Sequence, residues 1–479
     1  MNEAKAFAHT IGGRAVAGVG WFGVVDPSTG TVFAQAPDAT RGQLDLAVRV
    51  AREAFGKWRV LTHFERVSAL RSFAARVRAE IEGLSRLLTL EQGKPITSAQ
   101  REVRATADRI DGLAALEVKP EILREDASGR VLLDYQPLGV VGAIAPWNAP
   151  LILATQIAAQ ALVAGNTVIV KPSPFTPLTT LRLGEIAAET LPAGVFNVVS
   201  GGNALGQWMT EHPGIDKIGF VGSTVTGKKV MASAANSTLK RVSLELGGND
   251  PAIVLDDVDV DAMAARLFWS AFVNSGQICM AVKRVFAHES VAERLVDALA
   301  GKARQVKVGS GFEPDVELGP LQNQPQYEKV LAILQDARER GARFVTGGGA
   351  LPRAGYFIAP TIVTGVAEGT RLVDEEQFGP VLPVLTFKTI EEVVRRANAT
   401  RYGLGASVWS GDVTRAQEVA RQLEAGTVWI NAHGGASADI PFGGFKESGV
   451  GRALGMLGLE SYLEPRVTYL PPALSPHHS

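Results

Sequence analysis

Four times between Asn166 and Asn274 the chain repeats one grammar: a short apolar run, a turn carrying Gly, Pro, Ser or Asp, and then a helical stretch. The runs are Asn166-Thr-Val-Ile-Val-Lys171 before a helix from Leu178, Val195-Phe-Asn-Val-Val199 before one from Leu205, Lys217-Ile-Gly-Phe-Val221 before one near Gly227, and Pro251-Ala-Ile-Val-Leu255 before the stretch Asp261 to Asn274. Strands separated by helices lie parallel, and a parallel sheet needs helices over its faces. The fold class is therefore α/β, and 479 residues leave room for two or three domains.

The first hundred residues read differently. A hairpin is predicted around Val25-Asp-Pro-Ser-Thr-Gly30, followed by amphipathic helices from Leu44 to Trp58 and Phe64 to Glu82 that pack onto the sheet domain. Gly129-Arg-Val-Leu-Leu-Asp-Tyr-Gln-Pro137 and Tyr462-Leu-Glu-Pro-Arg-Val-Thr-Tyr-Leu470 read as strands with no helix nearby, and are expected to pair into a small separate sheet. The Pro- and His-rich stretch from Pro471 to Ser479 is expected to be loose.

Charge narrows the partners. Lys plus Arg total 48 against 49 Asp plus Glu, so nothing in the overall field attracts nucleic acid. A single cysteine excludes an internal disulfide, and the opening MNEAKAFAHTIGG lacks the pattern of a secretory signal, which together point to the cytoplasm. The apolar stretch from Leu151 to Val170 is interrupted by Gln156, Gln160, Gly165 and Asn166, which argues against a membrane span.

Two glycine patterns bear on nucleotide binding. Gly18-Val-Gly-Trp-Phe-Gly23 has dinucleotide spacing but runs into a turn at Asp26-Pro27 instead of a helix. Gly222-Ser-Thr-Val-Thr-Gly227-Lys228 follows a strand like a phosphate loop, yet Lys229 stands where a magnesium-binding hydroxyl is required. That turn remains either a plain strand-to-helix connection or a pyrophosphate site at a helix N-terminus, with Gly222 and Ser223 as its donors.

Three residues carry chemistry if read together. Cys279, behind a Gly-Gln turn in Asn274-Ser-Gly-Gln-Ile-Cys279, is either an inert buried thiol or a nucleophile. Glu245, ending an apolar strand before Gly247 and Gly248, is either a surface acid or a base whose pKa burial lifts. Asn148, flanked by Pro146 and Pro150, is either a turn residue or an amide aimed at a developing oxyanion.

In order along nearly the whole chain, the segments Pro146-Trp-Asn148, Gly165-Asn-Thr-Val-Ile-Val-Lys171-Pro-Ser, Phe220-Val-Gly-Ser-Thr224, Glu245-Leu-Gly-Gly248, Gly276-Gln-Ile-Cys279, Glu376-Gln-Phe-Gly-Pro380 and Pro441-Phe-Gly-Gly-Phe-Lys-Glu-Ser-Gly449 resemble the aldehyde dehydrogenase superfamily. The resemblance implies a Rossmann-like nucleotide domain (1–118 and 138–247), an α/β catalytic domain (248–446) and a small bridging sheet (119–137 and 447–479) that exchanges between subunits of a homodimer or homotetramer. It implies Cys279 as catalytic thiolate, Glu245 as general base, and Asn148 with the Cys279 amide as oxyanion hole. Around NAD or NADP it implies Trp147, Lys171 on the adenine ribose, Ser173, Gly222, Ser223 on pyrophosphate, Gly247, Glu376 on the nicotinamide ribose and Phe378. The implied reaction converts an aldehyde to a carboxylic acid through a thiohemiacetal and a thioester, with hydride transfer to the nicotinamide.

Pro174 stands where NAD-selective relatives commonly carry an acid, so the choice between NAD and NADP stays open, dual use included. The resemblance places Ala149, Ile152, Leu153, Gln156, Val273, Ile278, Met280, His433 and Ala436 toward the substrate. With no Arg or Lys among them, a neutral aldehyde, aromatic or bulky, is expected; His433 is either a hydrogen-bond donor to it or a satisfied loop residue. Rival readings are a coenzyme A-acylating or acyl-phosphate reductase on the same fold, disfavoured by Glu245, and an idle binding protein, disfavoured by the complete catalytic set. Scattered histidines and one cysteine offer no metal-ligand spacing.

Overall fold

The computed structural model describes residues 7–472; the first six residues, and the expected loose tail from 473 onward, lie outside the described residues. Five parallel strands, Val140–Ile144, Thr167–Lys171, Phe196–Val198, Lys217–Val221 and Arg241–Glu245, form the middle of an eight-stranded sheet. The first of them lies in its centre. The chain moves outward from it to Thr167–Lys171 and Phe196–Val198, then returns so that Lys217–Val221 pairs along its other side. This reversal opens a crevice beyond the carboxyl ends of Val140–Ile144 and Lys217–Val221, where open parallel sheets bind their ligands. Both strands are buried along their whole length because helices cover both faces, which is why they read as unbroken apolar runs rather than alternating ones.

The run Pro251–Leu255 does not extend this sheet. As Asp250–Val254 it enters a second, seven-stranded sheet between Val282–His288 and Gly405–Trp409, parallel to both. The two partnerless segments pair as expected: Gly129–Pro137 and Leu463–Leu470 run antiparallel, from Pro137 opposite Leu463 to Arg130 opposite Leu470, with Glu121–Asp126 on the free side. Gly20–Asp26 and Thr31–Asp38 form the expected hairpin, so Gly18 to Gly23 lies at and within a strand and opens no helix.

The N-terminal helices share one core with the first sheet; Trp58, Leu70, Phe73 and Val103 pack with Val141, Val168 and Leu162, and the Trp58 indole N–H donates to the Leu162 carbonyl at 3.0 Å. Their boundaries differ from expectation for local reasons. The first begins at Arg41, since Thr40 and Gln43 form a reciprocal cap. The second, His63–Ala79, stops short of Glu82 because Glu80 leaves helical geometry; Ile81–Gln92 and Ile96–Ala114 then follow as separate helices. The stretch expected to stay helical to Asn274 ends at Phe272. Asn274 and Ser275 adopt left-handed φ values of 53° and 56°, a conformation that costs about 1–2 kcal/mol per non-glycine residue, and so turn the chain toward Cys279.

Candidate active site

At the crevice of the first sheet lies a cavity of about 660 Å³ lined by Trp147, Lys171, Ser173, Pro174, Gly222, Ser223 and Lys229 among others. Ser223 caps the helix Thr224–Thr238, accepting the Thr226 N–H at 3.2 Å, so that helix aims its N-terminal amides into the cavity. Gly222 has no room for a side chain, since a Cβ there would come within 2.5 Å of the Phe220 ring. Lys228 turns away and pairs with Glu447 at 2.7 Å, which removes the lysine of a phosphate loop from any phosphate. The Lys171 ammonium is buried at the cavity wall, its pKa pulled down to about 8 by that burial against the opposing charge of Asp38, with the Pro172 carbonyl as its one acceptor among the described residues at 3.0 Å. Its remaining hydrogens fit ribose hydroxyls. Volume, helix terminus and under-used donor together fit a dinucleotide.

Glu376, Phe378 and Gly247 meet at the inner end. A Glu376 carboxylate oxygen accepts the Gly248 N–H at 3.0 Å, and a Cβ on Gly247 would collide with the other oxygen at 2.4 Å. Phe378 sits edge-on to Trp147, with centroids 5.3 Å apart.

The thiol loop is tied down from several sides. Asn148 donates its side-chain amide to the Gln277 carbonyl at 2.9 Å, and its own carbonyl accepts from Lys94 Nζ at 3.1 Å and Asn274 Nδ2 at 3.0 Å. Lys283, buried and four residues past the thiol, donates to the carbonyls of Ile278 at 2.6 Å and Cys279 at 3.4 Å. It is a residue that sequence reasoning missed. Cys279 keeps part of its surface open, yet burial pushes its thiol up to about 12; Lys283 works against this shift, while Glu376, Asp250 and Glu245 add to it. Burial thus favours the neutral thiol at rest. Glu245 is buried too, with Oε2 lacking any hydrogen-bond partner, and its pKa is raised to about 8 mainly by burial, with Arg452 opposing.

Behind Asn148 stands a buried ion pair, Lys94–Glu102 at 2.5 Å. Glu102 also accepts the Leu151 N–H at 3.1 Å, capping the helix Pro150–Val163 that starts just after Asn148. Lys94→Met leaves this carboxylate buried without its counter-charge, and is expected to lower the free energy of unfolding by about 3 kcal/mol in urea titration. Adding Glu102→Gln is expected to recover part of that loss; no change in the single variant would show the pair to be dispensable.

On the other side of Cys279, Val273, Ile278, Met280 and His433 line a cavity of about 600 Å³ together with Trp269, Arg266, Gly434 and Gly435. Leu153, Cys279, Met280 and Ala436 pack against one apolar cluster. Ala149 and Ile152 lie outside that cavity, at the first turn of the Pro150 helix, with the Ile152 N–H toward Glu102. Two positions bear on the substrate, and for His433 the geometry favours the satisfied of its two readings. His433 is no donor to substrate: its side chain is buried, Nε2 bonds to the Met280 carbonyl at 2.8 Å and Nδ1 to Ser407 Oγ at 2.9 Å. The residues expected toward the substrate also have an arginine against them, though it does not line that cavity. Arg109, on helix Ile96–Ala114, bonds to Gln156 and to the Ala436 carbonyl, each at 2.7 Å.

A dinucleotide crevice on one sheet, a second α/β sheet against it and a lone thiol with a buried carboxyl nearby, one of whose oxygens is unpartnered among the described residues, define a class: NAD(P)-dependent oxidoreductases acting on aldehydes. The aldehyde dehydrogenase family pattern matches residues 17–468, and the chain belongs to that family. It is similar to an aldehyde dehydrogenase-like protein of Schizosaccharomyces pombe, 39% identical over 93% of this chain and 90% of that one. Among solved structures it resembles the NAD+ complex of aldehyde dehydrogenase from Bacillus cereus, at 37% identity and a TM-score of 0.95, covering 98% of this chain and 97% of that one. Betaine aldehyde dehydrogenase from Staphylococcus aureus in complex with NAD+ follows at 33% identity and a TM-score of 0.93, covering 97% and 94%. No helix among the described residues is long and apolar enough to cross a membrane.

Proposed function

We propose that this aldehyde dehydrogenase works by the hydrolytic thiol route, with Cys279 as nucleophile, Glu245 as general base, and Asn148 Nδ2 with the Cys279 amide as oxyanion donors. The observation that carries it is Glu245: a buried carboxyl with one oxygen unpartnered, close enough to Cys279 to raise its pKa. As sulfur bonds to the carbonyl carbon, the thiol proton is lost to solvent. Asn148 then meets the negative oxygen of the adduct. When bound, the nicotinamide supplies the acceptor for the hydride that leaves that carbon, and Cys279 is left as a thioester. Glu245, having released its proton to solvent, takes one from water; the water oxygen bonds to the acyl carbon, the C–S bond breaks, and the carboxylic acid departs.

Lys171, Ser173, Ser223, Gly222, Trp147, Gly247, Glu376 and Phe378 are proposed to hold NAD or NADP, with Pro174 offering neither an acceptor for a 2′-hydroxyl nor a charge against a 2′-phosphate. The substrate enters past Val273, Ile278 and Met280, where the cavity suits a bulky or aromatic aldehyde. The domain limits 1–118 with 138–247, 248–446, and 119–137 with 447–479 are proposed as domain units. The last is proposed to bridge copies of a homodimer or homotetramer in the cytoplasm, a reading supported by Ile122, Leu123, Val467 and Tyr469, which expose apolar surface on its strands. The test of the reaction is absorbance at 340 nm with aromatic and aliphatic aldehydes and either cofactor, with product analysis in the presence and absence of coenzyme A. Carboxylic acid formed without coenzyme A is the expected product; a thioester formed only with it would move the chain to the acylating branch.

A further inference from the structure

The helix Ile96–Ala114 carries polar residues at Glu102, Thr106 and Arg109, spaced to share one face. Two of them are accounted for within the fold. Glu102 pairs with Lys94 and caps the Pro150 helix, and the Thr106 hydroxyl donates to the Glu102 carbonyl at 2.8 Å. Arg109 has a different environment. Its Nη1 and Nη2 donate to Gln156 Oε1 and to the Ala436 carbonyl, so it stands where the Pro150 helix meets the loop 431–440. Both acceptors are neutral. Burial lowers its pKa, and no acidic neighbour among the described residues raises it again.

A cation drawn partly out of water without a counter-charge is disfavoured unless an anion arrives. The cavity beyond that loop, which Arg109 itself does not line, agrees in sign. No Asp or Glu lines it, its one charged lining residue is the exposed Arg266, and its wall includes Gly435, the residue before Ala436. The bonds to Gln156 and Ala436 fix the plane of the guanidinium and use two of its five N–H donors, leaving an oriented fork of the kind that carboxylates accept.

We propose that Arg109 is a specificity-determining residue that binds the carboxylate of an acidic aldehyde whose other end reaches Cys279. The inference rests on the thiol reading above and narrows it: the substrate carries an anionic group remote from its reacting carbon, in place of the neutral aldehyde expected from sequence.

The test compares kcat/KM for aldehydes matched in size and differing in charge: ω-oxo carboxylic acids against the corresponding n-alkanals, and para-carboxybenzaldehyde against para-methylbenzaldehyde. The wild type is expected to favour the acid in at least one pair by about tenfold or more. Arg109→Met is expected to erase that preference, chiefly through KM, and Arg109→Lys to keep part of it. A wild type that favours no acid overturns the proposal without needing any variant, and so does a preference that survives Arg109→Met. Oxidation of the n-alkanals by the wild type separates the two levels. If they turn over and no acid is favoured, the charge assignment alone falls; if no aldehyde turns over, the thiol reading falls with it.

Discussion

Cys279→Ala is expected to abolish reduction of NAD or NADP by any aldehyde, a fall in kcat of at least about 10⁴-fold. No second thiol exists to take over, because the chain contains one cysteine. The variant is expected to keep its cofactor affinity, measurable by quenching of tryptophan fluorescence, since Lys171 and Ser223 belong to a different sheet edge from the thiol loop. Turnover that persists would sink the nucleophile assignment. Loss of cofactor binding alongside turnover would instead indicate a collapsed site.

Glu245→Gln should separate the two halves of the reaction. Without a base for water, the first turnover is expected to give a burst of reduced cofactor, after which steady turnover falls by about 10²–10⁴-fold. The pH dependence follows from burial, which raises the carboxyl to about 8. Below that pH the group holds its proton and cannot accept another, so wild-type kcat is expected to climb as pH rises through about 8 and then level off. Glu245→Gln should lose this rise. A wild-type rate flat from pH 6 to 9, or a glutamine variant with the same profile, would remove Glu245 from the rate-limiting step.

Much of this was legible before any coordinates. The strand-turn-helix grammar and the two partnerless strands specify the first and third sheets because both depend on short-range pattern. Cys279, Glu245 and Asn148 stand out as candidates in the sequence because each lies in a compact segment whose local chemistry is distinctive. Residues that act by convergence do not. Lys283 and the pair Lys94–Glu102 reach the site only through tertiary contact, and a polar face at helical spacing on Ile96–Ala114 reads in sequence like an ordinary solvated one. His433 could not be decided from sequence because its satisfaction depends on Ser407 and Met280, which are distant along the chain. The transfer of the Pro251 run to a second sheet was equally invisible, since strand order is set by packing and not by strand pattern.

The small three-stranded sheet also imposes a timetable. Arg466 meets Asp134 from 332 positions further along the chain, so the strand Gly129–Pro137, central in its sheet, leaves the ribosome well before its later partner is made. At ordinary elongation speeds that interval is on the order of tens of seconds. Through it one edge of Gly129–Pro137 stays unpaired, with Ile122 and Leu123 on the neighbouring strand, and only by its end have both large sheets received all of their strands. The bridging proposed for this sheet therefore waits until synthesis is almost complete, and until then the open edge is a template for pairing with another chain.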